Sequence, residues 1–265
     1  MSPFPNLISD SVLVNDTIDL LRASGGNASA VEIVDSVMKI ASPDPQLADM
    51  LVGDLIETDP RLQLNNGQVQ FIEGNGNRQL SEAEYVVFDF ETTGAKTPPC
   101  RVTEIGAFRV SKGEIGESFH SLVNPEMPIP AFITSLTSID DAMVENAPKF
   151  AEIAKDFLEF VGDAVLVAHN AMFDMRFLNV EIGRIHINYR VANPYLCTVR
   201  LARKLIPEIE NHKLATVANY YSINLDNHHR ATDDAKATSL IFLKLLDLLE
   251  EKGVEDLSTA MKGRF

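Results

Sequence analysis

The 265-residue sequence has only two cysteines, Cys100 and Cys197, too few for a disulfide framework and without the spacing of a zinc site. Both read as packing residues, and a reduced, cytoplasmic setting is the default expectation. No apolar run approaches the ~20 residues that span a bilayer. The opening MSPFPNLISD has neither the basic end nor the apolar core of a signal peptide, so no membrane partner is expected. Basic residues are scarce, 23 against 38 acidic, for a net charge of −15. Proteins that grip duplex nucleic acid through phosphate contacts need a basic surface, so non-specific coating of DNA is excluded. Any action on nucleic acid must draw on a local groove and a metal. The 45% apolar content is that of an ordinary globular protein, long enough for one large domain or two smaller ones.

Residues 1–75 read as three helices followed by a hairpin. The first helix covers 12–23 and stops at Gly25-Gly26. The second opens on a capping-box pattern, Ser29-x-x-Glu32, and runs through Val31, Val34, Val37 and Met38 to about Ile40. Asp44 caps the third, with Pro45 in its first turn, and its apolar positions Leu47, Met50, Leu51 and Leu55 share one face. In LQLNNGQVQF, polar and apolar residues alternate on either side of an Asn66-Gly67 turn, as in a hairpin. The order resembles a winged-helix domain, which suggests DNA reading by the third helix. The charges argue otherwise: residues 1–80 hold 4 basic and 11 acidic residues, and 45–58 contain no Lys or Arg. A docking or scaffolding module is the better reading. EGNGNRQLSE is Gly/Asn-rich and polar, which places a linker at 76–82.

The second domain, 83–252, opens on YVVFDFETTG. Strands EIGAFRV and ESFHSLV follow, then helical patterns alternating with the short strands AVLVAHN and PYLCT. The last long helix spans 231–251, and 253–265 is left as a tail. A three-strand meander followed by β/α alternation predicts an α/β fold with a mixed sheet flanked by helices.

Along a strand, residues i and i+2 face the same side, so Asp89 and Glu91 would sit together at the end of a hydrophobic element, each raising the other's pKa. Asp174, where the helix in HNAMFDMRFL begins, and Asp234, in HHRATDDAKAT, are further acids at element ends. Four converging carboxylates would be ruinous unless a divalent cation neutralised them. Oxygen-only ligands suit Mg²⁺ or Mn²⁺ rather than Zn²⁺, and several carboxylates can hold two ions about 4 Å apart, a clamp for in-line displacement at phosphorus. His229, with a pKa near working pH, would deprotonate the attacking water. Singly, each acid has a structural alternative, such as a strand-end turn or a helix N-terminus.

FDFETTG, HNAMFD and HRATDD, in that order, resemble the three signature motifs of the DnaQ-like, DEDDh-type 3′–5′ exonucleases. PEMPIPAFITSLTSI is similar to a further family segment. The resemblance implies a ribonuclease H-like fold, with Asp89, Glu91, Asp174 and Asp234 as metal ligands for two ions. His229 would be the general base, selected over His228 by its five-residue spacing to Asp234. Thr92 would approach the 3′ terminus and Phe173 the terminal base. It also implies release of nucleoside monophosphates from a 3′ end. One departure is Ser138, where the family often has Gly, which puts the loop conformation there in question.

The leading reading is therefore a 3′–5′ exonuclease on single-stranded nucleic acid, DNA before RNA, in proofreading or repair. The alternatives are an exoribonuclease and a catalytically silent interaction scaffold. A polymerase-bound proofreading subunit would be expected to carry a binding tail, and only 14 residues follow Glu251. Residues 1–75 are thus the better candidate for docking a replication or repair protein. His169 and Asn170 read as hydrogen-bonding groups at a strand end, and Asp233 as solvated. Arg200, Arg203 and Lys204 read as a solvated helix face before a phosphate-facing patch.

Overall fold

The computed structural model describes residues 4–57, 59, 61–72, 78–225, 227–263 and 265. The chain divides into two compact units, one of Met1–Asn75 with His186–Ala192, the other of Gly76–Ile185 with Asn193–Phe265.

The first unit begins with β1 (Leu7–Ser9), which pairs antiparallel with a later strand at Tyr189–Val191. Then come α1 (Val12–Ala23), β2 (Asn27–Ser29), α2 (Ala30–Ser36), α3 (Pro45–Ile56), β3 (Leu62–Asn65) and β4 (Gln68–Phe71). β2, β4 and β3 form an antiparallel sheet in that order. α1 ends where expected: Gly25 and Gly26 take φ of 75° and 96°, and the Gly26 amide donates back to the Leu21 carbonyl at 2.7 Å. The Ser29 hydroxyl caps α2 by accepting from Glu32 N, but the helix stops at Ser36 rather than Ile40. Lys39 turns left-handed (φ 61°) and the Ile40 amide reaches back to the Val34 carbonyl, closing the end early. Asp44 caps α3 as predicted, accepting from Gln46 N and Leu47 N. Its buried face differs. Ala48, Val52 and Ile56 face the core, with Leu51 and Leu55 beside them, while Leu47 and Met50 are 42% and 57% exposed. The helix has apolar residues on several sides, and the small Ala48 stripe is the one that meets the core shared with α2.

The second unit holds β5 (Tyr85–Thr92), β6 (Val102–Ser111), β7 (Glu114–Leu122), α4 (Ala131–Thr137), α5 (Asp141–Val144), α6 (Phe150–Val161), β8 (Val165–Ala168) and α7 (Met172–Ile185). After the excursion through β9 (Tyr189–Val191) it resumes with β10 (Tyr195–Cys197), α8 (Thr198–Leu205), α9 (Leu214–Tyr220), α10 (Ala231–Glu251) and α11 (Leu257–Lys262). The five-stranded sheet runs β10-β8-β5-β6-β7, parallel from β10 to β5 and antiparallel from β5 to β7. This is the mixed α/β sheet expected. β5 is buried on both faces. Tyr85 and Val87 pack with Phe242 and Leu245 of α10, while Phe88 and Phe90 pack against Phe157 of α6. By the same alternation, Asp89 and Glu91 point to the α10 side.

Residues 78–82, read from composition as linker, and 253–265, read as tail, join each other in this unit. Leu80 is buried, its amide donates to the Glu255 carbonyl, and Leu257 N donates to the Arg78 carbonyl. Asp256 caps α11, which buries Leu257 and Ala260. Residues 76 and 77 lie outside the described residues. No helix among the described residues is long and apolar enough to cross a membrane.

Candidate metal-binding site at the end of β5

The end of β5 carries half-buried Asp89 and buried Glu91, opposite Gly106 and Glu104 on β6. Gly106 matters because it has no side chain. A Cβ there would lie 2.4 Å from the backbone C and O of Ala231 and the N of Thr232. The first turn of α10 therefore rests directly on β6, and this contact brings Asp234 over the carboxylates of β5. Glu104, buried at the same place, accepts from Arg230 Nη2 (2.7 Å), Arg230 Nε (3.1 Å) and the Ala231 amide (2.9 Å), and pairs with His120 Nε2 (2.9 Å).

One carboxylate oxygen from each of Asp89, Glu91 and Asp234 lies within 4.8 Å of the others. Ring nitrogens of His228 and His229 and an oxygen of Asp234 form a second group of the same span. Asp174, at the start of α7 and 2% exposed, is tethered to the same strand, its Oδ1 accepting from Phe90 N at 3.2 Å. The four predicted acids thus converge, with Asp174 held by β5 backbone outside the tightest cluster. His229 takes φ of 71°, and its amide donates to Asp234 Oδ2 at 3.1 Å. Its ring stacks on His228 at 3.9 Å, and it is His228 whose Nδ1 meets the Asp234 carboxylate, at 3.0 and 3.1 Å.

Electrostatics state the cost of this convergence. Burial and the charges of Asp174, Glu91, Asp234 and Glu104 push Asp89 well above the usual carboxylate range. Burial, then Asp234 and Glu104, push Glu91 up to about 8. Burial raises Asp174 to about 8, with the Phe90 N–H opposing it, and raises Asp234, with His228 opposing it. Such a site gains most from a cation, which offsets both desolvation and repulsion. All the acidic donors are oxygen, which fits a hard divalent ion.

The remaining expectations fall out unevenly. Thr92 is buried and its hydroxyl donates to the Gly94 carbonyl at 2.9 Å. The Phe173 ring is half-buried against Phe177, 4.8 Å between centroids. His169 does what its strand-end position suggests: it bonds Thr198 Oγ1 and the His212 carbonyl, and burial pulls its pKa down to about 4, keeping it neutral. Asn170 takes φ of 73°. Asp233 is half-buried rather than fully solvated. Ser138 adopts φ 58°, ψ 18°, the left-handed conformation that Gly reaches at no steric cost. Sequence reasoning missed Glu104, Gly106 and Arg230. The available signal was an acid and a glycine inside the apolar strand EIGAFRV, which pairs with β5.

A family model described as Exonuclease matches residues 86–242. The DNA polymerase III PolC-type of Caldanaerobacter subterraneus subsp. tengcongensis is 38% identical over 237 residues, 89% of this chain and 17% of that protein. The same polymerase type of Clostridium perfringens is 40% identical over 240 residues, 90% of this chain and 16% of that protein. Among solved structures, exonuclease X in complex with 5′ overhanging duplex DNA superposes with a TM-score of 0.54 at 26% identity, over 67% of this chain and 96% of that one. The chain spans about a sixth of the length of the polymerases it resembles.

Proposed function

This chain belongs to the exonuclease family, with a DnaQ-like 3′–5′ nuclease domain on a ribonuclease H-like fold, and from that premise we propose that it removes nucleotides from 3′ ends of single-stranded DNA. The observation that carries the reading is the convergence of Asp89, Glu91 and Asp234 within 4.8 Å, with Asp174 tethered to the same strand and a His229 ring nitrogen within the same span of Asp234. No structural role accounts for so many buried acids at one strand end.

Two divalent ions, Mg²⁺ or Mn²⁺, held by Asp89, Glu91, Asp174 and Asp234, would supply the positive charge that phosphoryl transfer requires. His229 acts as general base. Burial and its neighbour His228 hold its imidazole below its ordinary value, so it is neutral and able to take a proton above neutral pH. It accepts the proton of the attacking water; the water oxygen bonds phosphorus as the bond to the penultimate 3′-oxygen breaks. A nucleoside monophosphate leaves, and the departing 3′-oxygen takes a proton from solvent to become the 3′-hydroxyl of the shortened strand. The backbone at Thr92 lies against the terminal sugar and Phe173 against the terminal base. The net charge of −15 favours a threaded single strand over a broad duplex contact. DNA is favoured because the similar proteins are DNA polymerases, and exonuclease X was captured with DNA.

The same comparison supports a replication role for the first unit. Residues 83–265 number 183, so an alignment of 237 residues must draw roughly 50 from the part before them. Residues 1–75 therefore dock a replication or repair partner in this reading, as an acidic winged-helix-like module. A pull-down that survives their deletion would remove the idea.

The deciding experiment measures mononucleotide release from 3′-labelled single-stranded DNA and RNA, with Mn²⁺, with EDTA, and for Asp89→Ala with Mn²⁺. DNA cleavage lost in both controls is expected. Faster cleavage of RNA would make it an exoribonuclease, and no cleavage of either strand by folded, metal-bound protein would leave a scaffold.

A further inference from the structure

α10 lacks a cap of its own. Its N-cap residue is Arg230, whose side chain makes no capping bond, and its first amides need partners. Glu104 supplies the cap from β6. The carboxylate is 1% exposed and makes four bonds: Oε2 accepts from the Ala231 amide and Arg230 Nε, and Oε1 from Arg230 Nη2 and pairs with His120 Nε2. Burial alone would push this carboxyl up, but bonds from Arg230, Ala231 and His120 hold it below its ordinary value. The charge is therefore present and matched, unlike that of Glu91 directly across the ladder.

We propose that Glu104 is a positioning residue that sets the depth and register of the first turn of α10, and thereby where the Asp234 carboxylate stands relative to Asp89 and Glu91. The proposal rests on the metal-site reading above. Three features meet on one stretch of β6: Glu104 grips Arg230 and Ala231, the bare Cα of Gly106 lets Ala231 and Thr232 settle, and Asp234 follows one turn later. A two-pronged guanidinium contact plus a backbone bond restrains rotation as well as distance, which a hydrophobic contact would not. Catalytic constellations tolerate only about 0.5 Å of error, so a residue that touches neither ion nor substrate can govern the site.

The test compares wild type, Glu104→Gln and His120→Ala. Mn²⁺ affinity is read from the free-ion electron paramagnetic resonance signal, and cleavage of a 3′-labelled oligonucleotide is followed across Mn²⁺ concentrations. Glu104→Gln offers an amide N–H where an acceptor is needed, and is expected to weaken Mn²⁺ at least tenfold. Its activity should recover substantially at high Mn²⁺, with the KM for the oligonucleotide within about threefold of wild type. His120→Ala loses only the half-exposed partner and should stay within about twofold. Glu104→Gln with a lowered Tm but wild-type Mn²⁺ affinity would overturn the proposal, leaving Glu104 a helix cap and nothing more. If Glu104→Gln does not fold, Arg230→Lys, which keeps the charge and loses the fork, decides by the same criteria. Failure of the wild type itself to bind Mn²⁺ would instead refute the metal-site reading.

Discussion

Substituting Gly106 by Ala adds a single methyl group at the point where the sheet and the helix carrying Asp234 are in backbone contact. The new Cβ would sit 2.4 Å from Ala231 C and O and from Thr232 N, where ordinary contacts begin near 3.4 Å. None of these atoms belongs to a side chain that could rotate away, so the helix end must retreat by about 1 Å. Overpacking of this kind costs typically about 2 kcal/mol, which lowers Tm by roughly 5 °C in a domain of this size. The functional cost should be larger in proportion. A displacement of about 1 Å in a catalytic group is worth on the order of 100-fold in rate, and Asp234 moves with its helix. Single-turnover release of the 3′-terminal nucleotide at saturating Mn²⁺ measures the rate, and circular dichroism the Tm. Gly183→Ala is the control: it lies in α7, a Cβ there meets nothing within 4 Å, and it should be stabilising by up to about 1 kcal/mol with unchanged rate. A Gly106→Ala protein with wild-type Tm and a rate within threefold of wild type would refute the argument that backbone contact at this glycine places Asp234.

Two further outcomes follow from local observations. Ser138→Gly should raise stability by about 1 kcal/mol, read as a Tm gain of a few degrees, because Ser138 holds φ of 58° that glycine adopts freely; no gain, or a loss, would mean the turn is not strained. The difference in Tm between Mn²⁺ and EDTA should widen as pH rises from about 5 to 8. Glu91 and Asp174 are pushed up to about 8 when folded, whereas in the unfolded chain they ionise near 4. Their stability contribution in the metal-free protein is full below that lower value and is lost as pH climbs towards 8, while the metal gains as fewer protons must be displaced. A gap that is flat or narrows across scanning fluorimetry runs would count against a cation-binding cluster.

What could be read in the sequence was what is encoded locally. Asp89 and Glu91 announce themselves as two acids, one residue apart, at the end of an apolar strand. Asp44-Pro45 and Gly25-Gly26 mark helix ends by backbone chemistry that acts over a few residues, and both occur where expected. α10 spans the predicted 231–251 because its apolar period persists throughout. Where the outcome depended on a partner element, the sequence was mute or misleading. The periodicity of α3 admits more than one apolar face, and contact with the rest of the first core chose Ala48, Val52 and Ile56 over Leu47 and Met50. The spacing names His229 for the base and is silent on ring orientation, which here turns the His228 imidazole to the Asp234 carboxylate. Glu104 and Arg230 are 126 residues apart, and only the β5–β6 register and the docking of α10 bring them to the site.

These distant pairs answer a difficulty the acidic cluster creates for its own scaffold. Carboxylates held close together repel, and the elements that carry them would drift apart without a tie that adds no net charge. Each of the two helices concerned has one. Arg230 and Glu104 bind the start of α10 to β6. On α7, Glu181 is buried two turns beyond Asp174 and accepts from Arg101 Nε at 2.7 Å, while the Arg101 amide and carbonyl bond Thr93, two residues after Glu91. Exposed ion pairs contribute little to stability, but here Glu104 and Glu181 are 1% exposed, and removing the Arg230 guanidinium would leave a buried charge largely uncompensated, at a cost of about 3 kcal/mol. Neutral in sum and directional in geometry, the two pairs hold the acids at their spacing before any cation arrives. The scaffold thus bears the repulsion in advance, and the binding of a cation then relieves it.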